Sequence, residues 1–501
     1  MRLRLIFLLG LTVALTASCG DDDDASDEPC TLGTTEGCDN GQVCEQVADG
    51  EPTCFAPVVV SGLVFDVTND DGVEGANVVA VDANGAARSG VETTGTNGNY
   101  ELPILVARDE EGNPASTQVT LRVGAQGYQP FPKAPRTALP VNLDSATLDE
   151  DNDQWVVQNA ATDVGLVPLE GDVGDLGSIS GVVELGGTVD GGVASVSGIL
   201  VVAEVDGETI TSVADEDGNF VLFNVPPGEV TVTAYGAGVN VEPQTITLEA
   251  GEDVTGITLT ASTDGLSTVS GKLEFADASC GDVTSVILVV ESTLEELVPG
   301  NPAFVRGEAP PGLRVGDVME DPETQEAGFS IPNVPPGRYA VLAAFENDCL
   351  VRDPDEGIAN TEVVVIEVPG DGSDVDAGSF KVTGAIEIFE PGATELEVID
   401  DPEPTFTWAR DPSTESYELR VFDAHGNLVF ENLAVPDPMG GETVSYTYDG
   451  PELEEGMIYQ FRVLSVALAS GDYRSGTEDL LGVFQYDPTP PDATDGGVDG
   501  G

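Results

Sequence analysis

The sequence predicts an all-β protein: tandem β-sandwich domains that follow a small disulfide-rich module. Three observations point there. From about residue 56, short runs of alternating apolar and polar residues are separated by Gly, Asn and Pro, the pattern of strands and tight turns. An internal repeat recurs three times across that stretch. Ahead of it, four cysteines crowd into 25 residues, too few to build a core of their own.

Composition bounds the rest. A chain of 501 residues is long enough for about three to five domains. Lys and Arg number 17 against 91 Asp and Glu, a formal net charge of -74. Such a surface repels nucleic-acid phosphates, so no nucleic-acid partner is expected. With 40% hydrophobic residues in alternating order, the acidity reads as the exterior of folded β domains rather than as disorder.

The chain opens Met1-Arg2-Leu3-Arg4, and residues 5–15 are apolar apart from Gly10 and Thr12. A basic start before a short apolar run is an export signal, too short to span a bilayer comfortably. It closes in Leu15-Thr16-Ala17-Ser18-Cys19, which resembles the lipobox of bacterial lipoproteins, departing from it at Thr16. The resemblance implies a signal peptide over 1–18 and lipidation of Cys19; an ordinary cleaved signal peptide is the alternative. Seven cysteines become an even six once Cys19 is assigned to lipid. Acyl chains would then be the membrane partner's only hold, at about 0.8 kcal/mol per buried methylene. Residues 19–29, with Asp at 21–24, read as an acidic, extended tether. Gly20, where Asp would imply inner-membrane retention, favours the outer membrane by the family's sorting rule. The acidic run also resembles surface-export signals, so the expected place is the cell envelope, periplasmic or surface-exposed.

Cys30, Cys38, Cys44 and Cys54 define the module over 30–56, with seven, five and nine residues between them. Four thiolates could hold zinc, but no C-x-x-C pair is present and export favours oxidation, so two disulfides are expected. Three connectivities are open.

The repeat comes next. Val60-Ser61-Gly62, Ile179-Ser180-Gly181 and Val269-Ser270-Gly271 each open a unit. Later in each a turn leads to an aromatic: Asn97-Gly98-Asn99-Tyr100, Asp217-Gly218-Asn219-Phe220 and Ala327-Gly328-Phe329. Two units continue as Asn224-Val225-Pro226-Pro227-Gly228 and Asn333-Val334-Pro335-Pro336-Gly337. Gly allows the hairpin, the aromatic plugs the core, and Pro-Pro ends a strand because it has no amides to donate. These residues resemble the carboxypeptidase regulatory-like domain, a transthyretin-like β-sandwich. They predict copies at 57–170, 177–262 and 266–383. The first copy lacks Pro-Pro-Gly and carries an insertion around 108–116. In the third, Cys280 and Cys349 remain to pair; closing a loop of about 70 residues would contribute roughly 4 kcal/mol on the chain-entropy model.

Residues 384–488 differ. Trp408 precedes Tyr417-Glu418-Leu419-Arg420-Val421-Phe422, and Leu453 stands six residues before Tyr459. This resembles a fibronectin type III domain, which implies Trp408 in the core and Tyr459 as a tyrosine corner, its hydroxyl bonded to backbone upstream. Residues 489–501 lack a core pattern and are expected to be disordered.

Reactive constellations are scarce. The single histidine, His425, lies among turn formers, Asp423-Ala424-His425-Gly426-Asn427, and reads as a hairpin tip. Zinc peptidase chemistry needs more than one histidine, and no G-x-S-x-G or phosphate-binding glycine motif occurs. No catalytic residue and no resident metal or cofactor is expected. Acidic loops containing Asp70 and Asp71, and Asp215 and Asp217, offer oxygens for weak calcium binding, as does Asp371-Gly372-Ser373-Asp374. None has EF-hand spacing, and solvated turns are the competing reading. Trp155 is the candidate sugar platform, weighed against an edge plug. The expectation is therefore a non-enzymatic, lipid-anchored envelope protein acting as a structural, adhesive or interaction module. The alternative is a carbohydrate-binding accessory protein of a polysaccharide system. Its partner, protein or glycan, is unidentified, and separate sandwich cores imply an elongated monomer.

Overall fold

The computed structural model describes residues 30–489 apart from 39–40, 49, 116, 151, 172, 187–195, 277–280, 299–300, 345, 353–362, 413 and 468–472. The leader, the whole of the 19–29 tether with Cys19, Cys280 and the tail from 490 lie outside the described residues. The protein is almost entirely β, with 54% strand and 3% helix.

In the N-terminal module, strands Val43–Glu45 and Thr53–Phe55 form a hairpin that sets Cys44 directly opposite Cys54. Each reaches back to the preceding loop: Cys30 bonds Cys44 and Cys38 bonds Cys54. This selects one of the three connectivities. The sulfurs of Cys30, Cys38 and Cys54 lie within 4.8 Å of one another, but sulfurs in disulfides are not thiolates and cannot hold zinc.

The three repeat units share one plan. In each, the opening strand lies between an antiparallel strand carrying the aromatic and a later strand that returns parallel to it. Val58–Asp66 lies between Asn99–Ile104 and the pair Gln154–Val157 and Val164–Leu166. Gly177–Leu185 lies between Asn219–Val225 and Asp253–Ser262. Ser267–Ala276 lies between Glu326–Val334 and Val375–Gly384. A second layer is built around Asn77–Val81 with Gln118–Gly124, Leu200–Val205 with Gly228–Gly236, and Val283–Val290 with Gly337–Ala343. In the middle unit Val239–Val241 connects the two layers into one curled eight-stranded sheet.

The register explains the sequence motif. Gly62 faces Tyr100, Gly181 faces Phe220 and Gly271 faces Phe329, the same pairing in all three units. A Cβ on Gly62 would lie 2.1 Å from the Thr162 carbonyl oxygen, and one on Gly181 would lie 2.1 Å from that of Ile257. On Gly271 it would meet the Phe329 ring at 2.6 Å. The glycine thus lets the parallel strand and the aromatic close over the opening strand. Tyr100, Phe220 and Phe329 are buried, and each burial contributes about 1.5–3 kcal/mol.

The C-terminal unit has one sheet of Ile388–Glu390, Thr405–Ala409 and Thr443–Thr447. Its second sheet is centred on Thr414–Asp423 and Ile458–Ala467, with Leu428–Pro436 at one edge. Trp408 is fully buried with its ring 5.6 Å from Tyr417. The Tyr459 hydroxyl accepts the Glu454 amide at 2.8 Å.

The units do not stand apart. Ala424, Ile458 and Val483 of the C-terminal unit belong to the core of the first repeat unit. Leu200 and Val202 of the second join the core of the third. Each of the four units keeps a core cluster of its own, as expected from sequence, and these few apolar residues carry the packing from one unit onto its neighbour.

Candidate functional site

The polar chemistry of the chain is concentrated where units meet. At the first seam, Arg108 and Glu45 are fully and almost fully buried, and the Arg108 Nε donates to Glu45 at 2.5 Å. Glu45 also accepts the Val106 amide at 3.0 Å, and Arg108 donates to the Ala56 carbonyl at 2.8 Å. Its guanidinium lies 4.9 Å from the Phe55 ring centroid. Burial pushes the Glu45 carboxyl up, against the pull of the Val106 amide and Arg108. Arg108 opens the insertion that distinguished the first copy; the structure shows that insertion to be the dock for the cysteine module.

A second seam gathers three units. Arg122 donates to Glu308 at 2.6 Å and to Thr211 at 2.7 Å, and Thr211 donates to Glu308 at 2.7 Å. Nearby, Arg314 of the third unit reaches Asp82 of the first at 3.6 Å and pairs with Glu346. The Ala309 amide donates to the Asn84 carbonyl at 3.1 Å.

The first and C-terminal units meet at the hairpin tip that carries His425. Its ring stands edge-on to Phe65 at 5.4 Å, and its carbonyl accepts Arg136 at 2.6 Å. The same Arg136 nitrogen donates to the Gly165 carbonyl at 2.6 Å. Asp163, held up by burial, accepts the Leu63 amide at 2.9 Å and feels the charge of His425. These neighbours make His425 part of a packed joint. Gln118 links the same two units and the third: it donates to the Leu480 carbonyl at 3.2 Å and accepts from Asn347 at 2.9 Å.

Between the third and C-terminal units, Glu478 accepts the Cys349 amide at 2.6 Å and is only 8% exposed. Its carboxyl is pushed up to about 7, first by burial and then by Asp348 beside it. Asp348 is also raised by burial.

The residues singled out from sequence are not brought together. Asp70 and Asp71 are exposed on a turn in which Asn69 accepts the Asp71 amide at 2.9 Å. The Asp215 carboxylate accepts the amides of Asp217 and Asn219 at 2.9 and 2.8 Å. Asp371 likewise accepts the Ser373 amide at 3.0 Å. These are self-bonded turns, and among the described residues the only gathered set of metal-ligating side chains is the cysteine trio. Trp155 is half-buried and packed on the first core, in a strand paired on one side with Val58–Asp66 and on the other with Thr147–Asp149. Cys349 is disulfide-bonded, while Cys280 lies outside the described residues. A groove in the C-terminal unit is lined by Asp423, Tyr448, Glu452, Glu454, Met457 and Tyr459. The Tyr448 hydroxyl donates to the Pro451 carbonyl at 2.8 Å, and the Tyr459 hydroxyl accepts the Glu454 amide at 2.8 Å. Sequence reasoning missed Arg122, Thr211, Glu308 and Glu478. Their partners lie far along the chain, and the one signal was that cations are rare enough for each to merit attention.

Among the described residues no helix is long and apolar enough to cross a membrane. No family model and no curated protein matches the chain. Among solved structures it is similar to the Bacillus anthracis TIE protein, at 12% identity over 89% of this chain and 73% of that one, TM-score 0.15. It is also similar to a streptococcal ancillary pilin, at 12% identity over 66% and 99%, TM-score 0.16. BcpA, the major pilin subunit of Bacillus cereus, follows at 12% over 66% and 100%, TM-score 0.16. TM-scores this low carry no weight for the arrangement or role of the present chain.

Proposed function

We propose that the chain is a non-enzymatic envelope protein, held to the outer membrane by acyl chains on Cys19, whose joined β units form a structural, adhesive or interaction body. The observation that carries this reading is the use of the polar side chains. The buried side chains of Arg108, Glu45 and Glu478 are engaged in holding units together, and His425 meets the first unit with its ring edge-on to Phe65 and its backbone carbonyl accepting Arg136. The lipobox-like end of the leader and the acidic run after it support anchorage with the body held off the membrane.

Metabolic labelling with an alkyne fatty acid, followed by membrane fractionation, tests the proposal. The wild-type chain should carry label and sediment with outer membrane; Cys19→Ala should lose both. A wild-type chain that is unlabelled and soluble overturns the anchor. Hydrolytic activity on peptides or glycans that depends on His425 overturns the non-enzymatic part.

A further inference from the structure

The repeat that shapes each unit also places the residues by which one unit holds the unit before it. Asn224, the first residue of Asn-Val-Pro-Pro-Gly in the second unit, sits in the left-handed region at φ 58°. Its side chain accepts the Gly127 amide at 2.6 Å and donates to the carbonyls of Ala125 and Tyr128, each at 2.9 Å. Its own amide donates to the Gln126 side chain at 3.1 Å. Residues 125–128 form the loop that leaves Gln118–Gly124 of the first unit.

The equivalent residue of the third unit, Asn333, has φ 59°. Its carbonyl accepts the Gly238 amide at 2.8 Å, and the Ala237 amide donates to the Pro311 carbonyl at 2.9 Å. Ala237 and Gly238 leave Gly228–Gly236 of the second unit, the counterpart of Gln118–Gly124. The same two elements therefore meet at both joints. Tyr235 and Tyr339 stack edge-on beside the second joint, with ring centroids 5.9 Å apart.

The first unit follows the rule with different residues. Eight positions after Tyr100, where the other units have the Gly of Pro-Pro-Gly, stands Arg108. Its amide donates to the Gln46 carbonyl and its carbonyl accepts the Ala48 amide, both at 2.8 Å, besides the buried pair with Glu45. At the other end, the stretch that follows Gly337–Ala343 reaches Cys349, whose amide is taken by Glu478 of the C-terminal unit.

We infer that the segment trailing each aromatic plug is a recurring head-to-tail coupler. Asn224 and Asn333 seat the second and third units on their predecessors, Arg108 adapts the first unit to the cysteine module, and the C-terminal unit closes the open end of the series. The stack is directional, and its two exposed coupling surfaces are both covered within the chain. This inference concerns construction and holds whether or not Cys19 carries lipid.

Two substitutions in the full-length protein separate the coupler from general stability. Asn224→Gly keeps the left-handed backbone and removes every side-chain bond to the first unit. Asn333→Gly makes the same backbone change but removes none, because that joint uses the carbonyl. Hydrogen exchange read by mass spectrometry should show residues 125–128 exchanging about tenfold faster or more in Asn224→Gly. Residues 237–238 should be unchanged in both variants, with circular dichroism confirming intact sheets. Unaltered protection at 125–128 in Asn224→Gly overturns the inference. So does equal loss at both joints from the two variants, which would indicate a backbone effect alone.

Discussion

Arg122 of the first repeat unit and Glu308 of the third meet at 2.6 Å, and Thr211 of the second bonds to both, so one triangle of side chains joins three units. In a chain with 17 cations and 91 acids, mutual repulsion between units is the term such contacts must overcome. Arg122 and Glu308 are mostly shielded, at 16% and 25% side-chain exposure, so salt weakens the pair less than the longer-range repulsion.

Arg122→Gln should therefore destabilise the folded chain by about 1 kcal/mol, since charge-assisted bonds are lost at a partly exposed site. Small-angle scattering should show a larger radius of gyration than wild type at low ionic strength, and convergence of the two as salt is raised.

The Glu45–Arg108 pair behaves differently because it has no access to water. Arg108→Met strands a buried carboxylate and should cost about 3–5 kcal/mol. The double variant Glu45→Leu with Arg108→Met should recover a large part. Urea unfolding measures the cycle, and proteolysis at residues 46–56 should follow it.

Glu478 predicts a pH dependence of known sign. Its carboxyl in the folded protein lies at about 7, above the ordinary 4.5, so the folded state favours the protonated form. The stabilisation is complete below the ordinary value and is lost as pH rises through about 7. Melting temperature should fall between pH 5 and pH 8, and Glu478→Gln should flatten that slope.

Gly181→Ala places a methyl 2.1 Å from the Ile257 carbonyl oxygen. Either the parallel strand moves or the Phe220 strand shifts, at about 1–3 kcal/mol. The equivalent change at Gly378, where no atom lies within 4 Å of the added Cβ, meets no such clash. Its strain comes only from the φ of 72°. Thermal denaturation should rank Gly181→Ala below wild type with loss of protection across Gly177–Leu185.

Local pattern made the units legible. The Gly of each Ser-Gly pair and the later aromatic announce the opening strand and its plug, because steric closure at Gly62, Gly181 and Gly271 leaves no other residue room. Trp408 and Tyr459 were legible for the same reason, as their burial and bonding are settled within one unit. What the sequence hid was the seams. Arg122 finds Glu308 across 186 positions, and Gln118 finds Leu480 across 362, separations over which no periodicity survives. The residues around Arg108 looked like a departure from the repeat, and only the fold shows a docking surface there. Asn224 and Asn333 read alike in sequence, yet one couples by its side chain and the other by its carbonyl.

The coupling of Asn224 to residues 125–128 uses mostly main-chain atoms of the receiving loop. A receptor made of backbone is indifferent to most changes in its own side chains. Drift could therefore recolour the side chains of that loop while the geometry of this joint is inherited intact.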